Sequence, residues 1–229
     1  VSRRRFLQTS AVTGGGLVVG LAVTGCSGTP APLPVARTQG AWTPNAFLQV
    51  LPDNTIRFYT ARSEMGQGVT TGLATLVGEE LDVNPLDMEI RLAGAHEDYV
   101  NPAFGMQGTG GSTSIRAHYL QLRQVGANTR ALILEAASQD LGVPVSSLST
   151  ENGYIVQGAS RHPYADFITT AQSLNIDADA ALKPASQFKY IGQETRRVDA
   201  IAKATGTAQF GIDVDVSGMH YAVVAVSYT

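Results

Sequence analysis

Cysteine is nearly absent: the 229 residues hold one, Cys26, close to the N-terminus. Beyond it the chain can build no disulfide, no thiolate metal site and no iron–sulfur cluster of its own. Charge is scarce too. Asp, Glu, Lys and Arg make up 15% of residues with a net charge of −3, against about 25% in ordinary soluble domains. That balance excludes nucleic-acid binding by bulk charge, and the composition is not that of a disordered chain. No Gly-Lys-Ser/Thr occurs, which excludes a Walker P-loop. The four histidines, His96, His118, His162 and His220, show no metal-ligand spacing and are expected on the surface or in loops.

What the N-terminus does have is an address. Residues 2–11 read SRRRFLQTSA, and an Arg pair followed after one residue by Phe-Leu fits the twin-arginine pattern, with Arg3 and Arg4 as the pair. The uncharged stretch from Ala11 to Cys26 contains three consecutive glycines and is too short to span a bilayer of about 30 Å comfortably. It reads as the apolar region of an export signal, so the expected location is the periplasm. Val23 to Cys26, VTGC, matches a lipobox in which Cys26 would be lipidated, although small residues before a cysteine also arise by chance.

The predicted organisation is a signal over 1–26, a Pro/Gly/Ala-rich linker over 27–44, a main body over 45–185 and a further segment over 186–229. In the body, Phe47 to Leu51 and Thr55 to Thr60 read as a hairpin about Pro52-Asp53-Asn54. Val69, Leu73, Leu76, Val77 and Leu81 have helical spacing that stops at Asn84-Pro85, and Met88 to Gly94 reads as a strand. After a loop from Ala95 to Gly111, a long helix should bury Ile115, Tyr119, Leu122, Val125, Thr129, Leu132, Ile133 and Ala136, with Ser112 as N-cap. Arg116, Arg123 and Arg130, every seven residues on another face, read as solvated, as do Glu79 and Glu80. Asn152-Gly153 marks a second hairpin, and HPYADFITTAQSL a short helix. The last ten residues, HYAVVAVSYT, read as an apolar strand that stops abruptly, which predicts a truncated chain. The fold class expected is α+β.

Two glycine-rich turns stand before the two predicted helices: SEMGQGVTTG, Ser63 to Gly72, and GMQGTGGSTS, Gly105 to Ser114. Glycines let a ligand approach the backbone, and the helix N-terminus behind them offers free amides to phosphate-like oxygens. A dinucleotide fingerprint fits poorly, because the spacing is G-x-G-x-x-x-G and the acidic residue about 20 positions on, Glu89, opens the next strand. Either turn alone could serve structure only.

Three stretches, EMGQG with EELDV, TGGSTSIRAHYLQLRQVGANTR, and IGQETRRVDAIAKATGTAQFGIDV, occur in an order that resembles the large, molybdopterin-binding subunit of the xanthine dehydrogenase and aldehyde oxidase family. With the twin-arginine signal, the resemblance is narrower, to the branch of isoquinoline 1-oxidoreductase beta subunits and periplasmic aldehyde dehydrogenases. It implies a molybdopterin-binding domain followed by the start of an a/b hammerhead domain. It also implies that Gly66, Gln67 and Gly68 approach the molybdenum centre or pterin, and that Gly111, Ser112, Thr113 and Ser114 line the pterin and its phosphate. The cofactor implied is molybdenum-molybdopterin in the cytosine dinucleotide form, held through its dithiolene, so scarcity of cysteine is no obstacle. The resemblance further implies hydroxylation of an N-heterocycle or aldehyde, a small-molecule substrate, and a separate small [2Fe–2S] subunit. It puts the catalytic glutamate in a part not present among these residues. The rival reading is an exported lipoprotein that holds a phosphorylated ligand without turnover.

Overall fold

A computed structural model describes residues 38–175 and 179–225, all within one unit running from Ala36 to Thr229. Arg3, Arg4 and Cys26 lie outside the described residues. A four-stranded sheet has the order β1 (Trp42–Asn45), β2 (Leu48–Val50), β3 (Ile56–Thr60), β4 (Glu89–Leu92). β2 and β3 form the expected hairpin, in the register Leu48↔Phe58 and Val50↔Ile56. β1 begins inside the stretch read as linker, since Trp42 pairs with Val50 and buries its ring. β4 runs parallel to β3, in the register Phe58↔Ile90. Parallel neighbours need a crossover, and α1 (Val69–Leu81) supplies it.

The second long helix, α2 (Ser114–Leu141), packs on α1. Gly126 permits the contact: a Cβ there would sit 2.5 Å from the Val77 carbonyl. The core includes Leu48, Val50 and Phe58 of the sheet, Leu73, Val77 and Leu81 of α1, and Leu122 and Ile133 of α2, all essentially inaccessible. Each such side chain contributes about 1.5–3 kcal/mol through burial. The α2 stripe is rotated from the expected one. His118, Arg123 and Gly126 are buried, while Ile115 is 40% exposed. Ser112 is not the N-cap; Thr113 holds that place and makes no side-chain cap bond, and Ser112 adopts a left-handed φ of 52°.

A three-stranded sheet follows, β5 (Ser149–Glu151), β6 (Tyr154–Gln157) and β7 (Ser160–Pro163), with Asn152-Gly153 at its first turn at φ 42° and 81°. β7 was not expected from sequence. The short helix α3 (Ile168–Ala171) then packs against α2. Beyond it, α4 (Ala200–Ala204) is the one α-helix among the described residues. His220 to Ala225 form no strand, contrary to expectation, and Tyr221, Val223 and Val224 are almost fully exposed. No helix among the described residues is long and apolar enough to cross a membrane.

Of the charged residues expected in solvent, Arg116 is exposed, whereas Glu79, Glu80 and Arg123 turn inward. Glu79 and Glu80, near the end of α1, are both fully buried. Three consecutive backbone amides, Lys189, Tyr190 and Ile191, donate to the Glu79 carboxylate at 2.9, 2.7 and 2.9 Å. Such a nest satisfies an anion without a cation. Glu80 accepts from Arg123 Nε at 2.8 Å and Nη2 at 2.5 Å, a two-point pair. The Arg123 guanidinium also lies 5.2 Å from the Tyr119 ring centre and 4.9 Å from that of Phe188. Asp82, the left-handed cap of α1, accepts from Lys183 Nζ at 2.7 Å and Lys189 Nζ at 2.8 Å. Burial alone would raise its carboxyl, but both lysines and Thr150 outweigh it and hold the group below its usual range. Residues 183–191 are thereby strapped to the end of α1.

Candidate functional site

The two glycine turns meet. A pocket of about 420 Å³ lies between them, lined by Met65, Gln67, Gly68 and Val69 from the first and by Thr109, Gly110, Ser112, Ser114 and Ile115 from the second. Gly72 also lines it and explains the third glycine of the first turn: a Cβ there would fall 2.8 Å from Ile115 Cδ1, so the missing side chain lets the two helix entries approach. A cross-turn bond from Ser63 N–H to Thr109 Oγ1, at 2.9 Å, fixes their spacing.

The first turn is already supplied with an anion. The Glu64 carboxylate accepts from the amides of Gly66 and Gly68, each at 2.9 Å, and of Thr70 at 3.1 Å. These are the amides that the sequence offered to a phosphate. Arg197 closes the arrangement, donating to Glu64 at 3.2 Å and to the Gly66 carbonyl at 2.5 Å. Burial works to raise the Glu64 carboxyl, but the three amides and Arg197 outweigh it, and the net effect is downward. Glu64 was missed as a functional residue. Its signal is a carboxylate just ahead of a helix start, where the macrodipole favours negative charge.

The expected contact residues divide accordingly. Gln67, Gly68, Ser112 and Ser114 line the pocket; Gly66, Gly111 and Thr113 do not. Gly66 serves Glu64 and Arg197. Thr113 is buried, donating to the Gly110 carbonyl at 2.8 Å and accepting from Asn101 Nδ2 at 2.7 Å. Gly111 is an exposed turn residue at φ 57°. Gln67 is exposed and folded onto its own turn: Oε1 accepts from Met65 N–H at 2.5 Å and Nε2 donates to the Ser63 carbonyl at 3.0 Å.

His118, expected on the surface, is buried beneath the second turn. Its Nε2 is 2.7 Å from Arg62 Nη2, and its Nδ1 is 3.0 Å from the Ser114 carbonyl. An arginine can only donate, so Nε2 accepts and the ring proton sits on Nδ1, facing Ser114. Burial first, and then the Arg62 charge, push this histidine below its ordinary value and keep it neutral.

Comparison with known proteins places this chain in a lineage. Over 230 aligned positions, 96% of the chain and 29% of the relative, it is 31% identical to a membrane-bound aldehyde dehydrogenase (pyrroloquinoline-quinone) of Gluconacetobacter polyoxogenes. It is 29% identical to the beta chain of isoquinoline 1-oxidoreductase of Brevundimonas diminuta, with 80% of this chain and 28% of that one covered. It is 28% identical to a subunit of the nicotinate dehydrogenase of Pseudomonas putida, with 80% of this chain and 15% of that one covered. The chain thus spans under a third of these relatives' length. A model of the molybdopterin cofactor-binding domain matches residues 3–227, a span that includes both glycine turns and both helices behind them, and the chain belongs to that family.

Proposed function

We propose that this chain is the cofactor-binding part of a molybdenum-dependent oxidoreductase that hydroxylates an N-heterocycle or an aldehyde, with water as the source of oxygen. The observation that carries the reading is the convergence of both glycine turns on one pocket. Its residues suit a pterin. A Cβ built on Gly68 or Gly110 would meet nothing within 4 Å, so these glycines leave clear space for a flat ring system. Met65, Val69 and Ile115 offer apolar contact, and Ser112 and Ser114 add two hydroxyl-bearing residues to the lining. Gln67 Nε2 spends one hydrogen on Ser63 and has a second to give a ligand. When bound, the cofactor supplies two-electron redox chemistry and oxygen transfer; the chain's part is to bind and orient it.

The cytosine dinucleotide form is the one proposed. Two of the relatives are named as subunits of their enzymes, and [2Fe–2S] clusters need cysteines that this chain lacks. These facts support electron transfer to a separate iron–sulfur subunit. Arg3 and Arg4 would direct twin-arginine export to the periplasm, and Cys26 would carry a lipid anchor. Residues 186–229 would begin an a/b hammerhead domain.

The test is metal, pterin and iron analysis of the full-length protein purified from periplasm, alongside Gln67→Ala. Molybdenum and pterin in stoichiometric amount, with turnover lowered about tenfold or more in the variant, is the expected result. A folded protein without molybdenum or pterin overturns the reading. Pyrroloquinoline quinone in their place would instead follow the name of the aldehyde dehydrogenase relative.

A further inference from the structure

The stretch from Ile191 to Val214 adds no residue to the lining of the two-turn pocket, yet it reaches the first turn through Arg197. It is tied to α1 near both ends of that helix: Ile191 N–H donates to the Glu79 carboxylate at 2.9 Å, and Val198 N–H to Thr71 Oγ1 at 3.1 Å. Arg197 is oriented before it meets the turn. Asp199 accepts from its Nε and Nη2, each at 2.8 Å, a two-point pair that fixes the plane of the guanidinium. Lys203 Nζ lies 2.6 Å from the same carboxylate. The guanidinium then donates through Nη1 to the Gly66 carbonyl at 2.5 Å and through Nη2 to Glu64 Oε1 at 3.2 Å.

These bonds fall on the two peptides that flank Gln67. The peptide before it has its carbonyl, that of Gly66, on Arg197; the peptide after it has its amide, that of Gly68, on the Glu64 carboxylate that Arg197 holds. Gly66 and Gly68 have φ of 96° and 79°. Glycine reaches such values without steric cost, but it also has the most freedom to leave them. A residue between two glycines therefore keeps one orientation only where its peptides are bonded. Met65 and Gln67 carry the side chains that this turn gives to the pocket ahead of α1, and their placement follows from those bonds.

We infer that Arg197 is a positioning residue for this pocket: with Glu64 it clamps the two peptides on either side of Gln67, and so holds Gln67 where a bound ligand meets it. The inference rests on the reading of the pocket as a cofactor site. It adds a task for a residue 130 positions from Gln67 in sequence, outside the pocket lining, that acts through the turn.

The experiment uses full-length protein made in a cofactor-producing host, and reads two quantities: hydrogen exchange at residues 65–68, and the rate at which molybdenum and pterin leave the folded protein on dilution. In Arg197→Met, exchange at 65–68 should rise, and the cofactor should leave, about tenfold or more faster, as hydrogen bonds to charged groups are lost; exchange within α2 should not change. Arg197→Lys keeps the charge and a donor without the planar fork and should fall between the two. Gln67→Ala decides whether the arginine acts through Gln67. If it does, the double variant releases cofactor no faster than the faster single variant, whereas a merely structural Arg197 would add its effect in full. Unchanged exchange at 65–68 in Arg197→Met, full additivity with Gln67→Ala, or release from Arg197→Lys as fast as from Arg197→Met each overturns the inference. Should Arg197→Met fail to fold, Arg197→Gln takes its place under the same criteria. The two levels separate in the wild type. Molybdenum and pterin held there, with release unaltered in Arg197→Met, sink this inference alone; a folded wild type without either removes the pocket reading as well.

Discussion

The turn before α1 and the turn before α2 share composition, and both deliver a helix N-terminus to one pocket, yet they solve the same electrostatic problem in opposite ways. At the first, Glu64 reaches three amides and is held in turn by Arg197, from a segment 133 residues away; Val198 N–H adds a bond to Thr71 Oγ1 at 3.1 Å. At the second, the side chain at the cap position, Thr113, is turned inward to Gly110 and Asn101, and the charge behind the turn is Arg62. Among the described residues, the first helix start has a carboxylate on its amides, while the second has no acidic residue in its first turn and no side-chain cap bond. Glycine content and position ahead of a helix therefore do not identify an anion site. The decisive feature is whether the chain has spent its own carboxylate there.

Both turns hang from one helix pair, so a lesion in that pair should damage them together. Glu80→Ala strips the partner from Arg123, which is buried between Tyr119 and Phe188. Removing one member of a buried pair costs about 3–5 kcal/mol. This is the largest effect expected, and chemical denaturation should read it directly. A loss below about 1 kcal/mol would mean that the α1–α2 contact is set by Gly126 and the apolar core without the ion pair.

Much of this frame is legible in sequence, for reasons that also mark the limit. α1 appears as Val69, Leu73, Leu76, Val77 and Leu81 because its apolar residues face one core. β1 does not, since Trp-Thr-Pro-Asn has one large apolar residue and a proline. Glu79, Glu80 and Asp82 each have a partner in residues 183–191, about 100 positions away, and Arg123 lies 43 positions from Glu80; no local pattern announces them. The same holds for Arg123, whose heptad row looked solvated because the row's spacing does not say what it faces. Both glycine turns could be read as ligand loops; that they form one pocket depends on Gly72 admitting Ile115. The apolar run that begins at His220 reads as a strand, but a strand needs a neighbour, and no described segment pairs with it.

The contrast between the turns can be sharpened by discharging the first. Glu64→Gln keeps the shape and loses the charge, at an expected cost of about 1 kcal/mol near neutral pH. The sign of its pH dependence follows from the lowered carboxyl. Its stabilisation is fully present above the ordinary glutamate value of 4.5 and is lost as pH falls through the lower value of the folded protein. Wild type and variant should thus differ most at neutral pH and converge in acid. A gap that stays constant across the acid range would show that Glu64 acts through shape and hydrogen bonding alone, and the charge contrast between the turns would fail.

The smallest effect belongs to the second turn. Ser112 sits at φ 52°, where a side chain costs about 1 kcal/mol and glycine costs nothing. It also lines the pocket. Ser112→Gly should therefore raise stability in urea by up to about 1 kcal/mol and weaken cofactor binding by a few-fold, as one hydrogen-bonding group is lost. The two changes have opposite signs, and that opposition is informative. A serine kept only for the turn would be improved by glycine in every measurement, whereas a serine kept for the ligand is strained in the free chain and useful in the bound one. Stability and affinity rising together would leave the second turn a structural feature, no different in kind from the first.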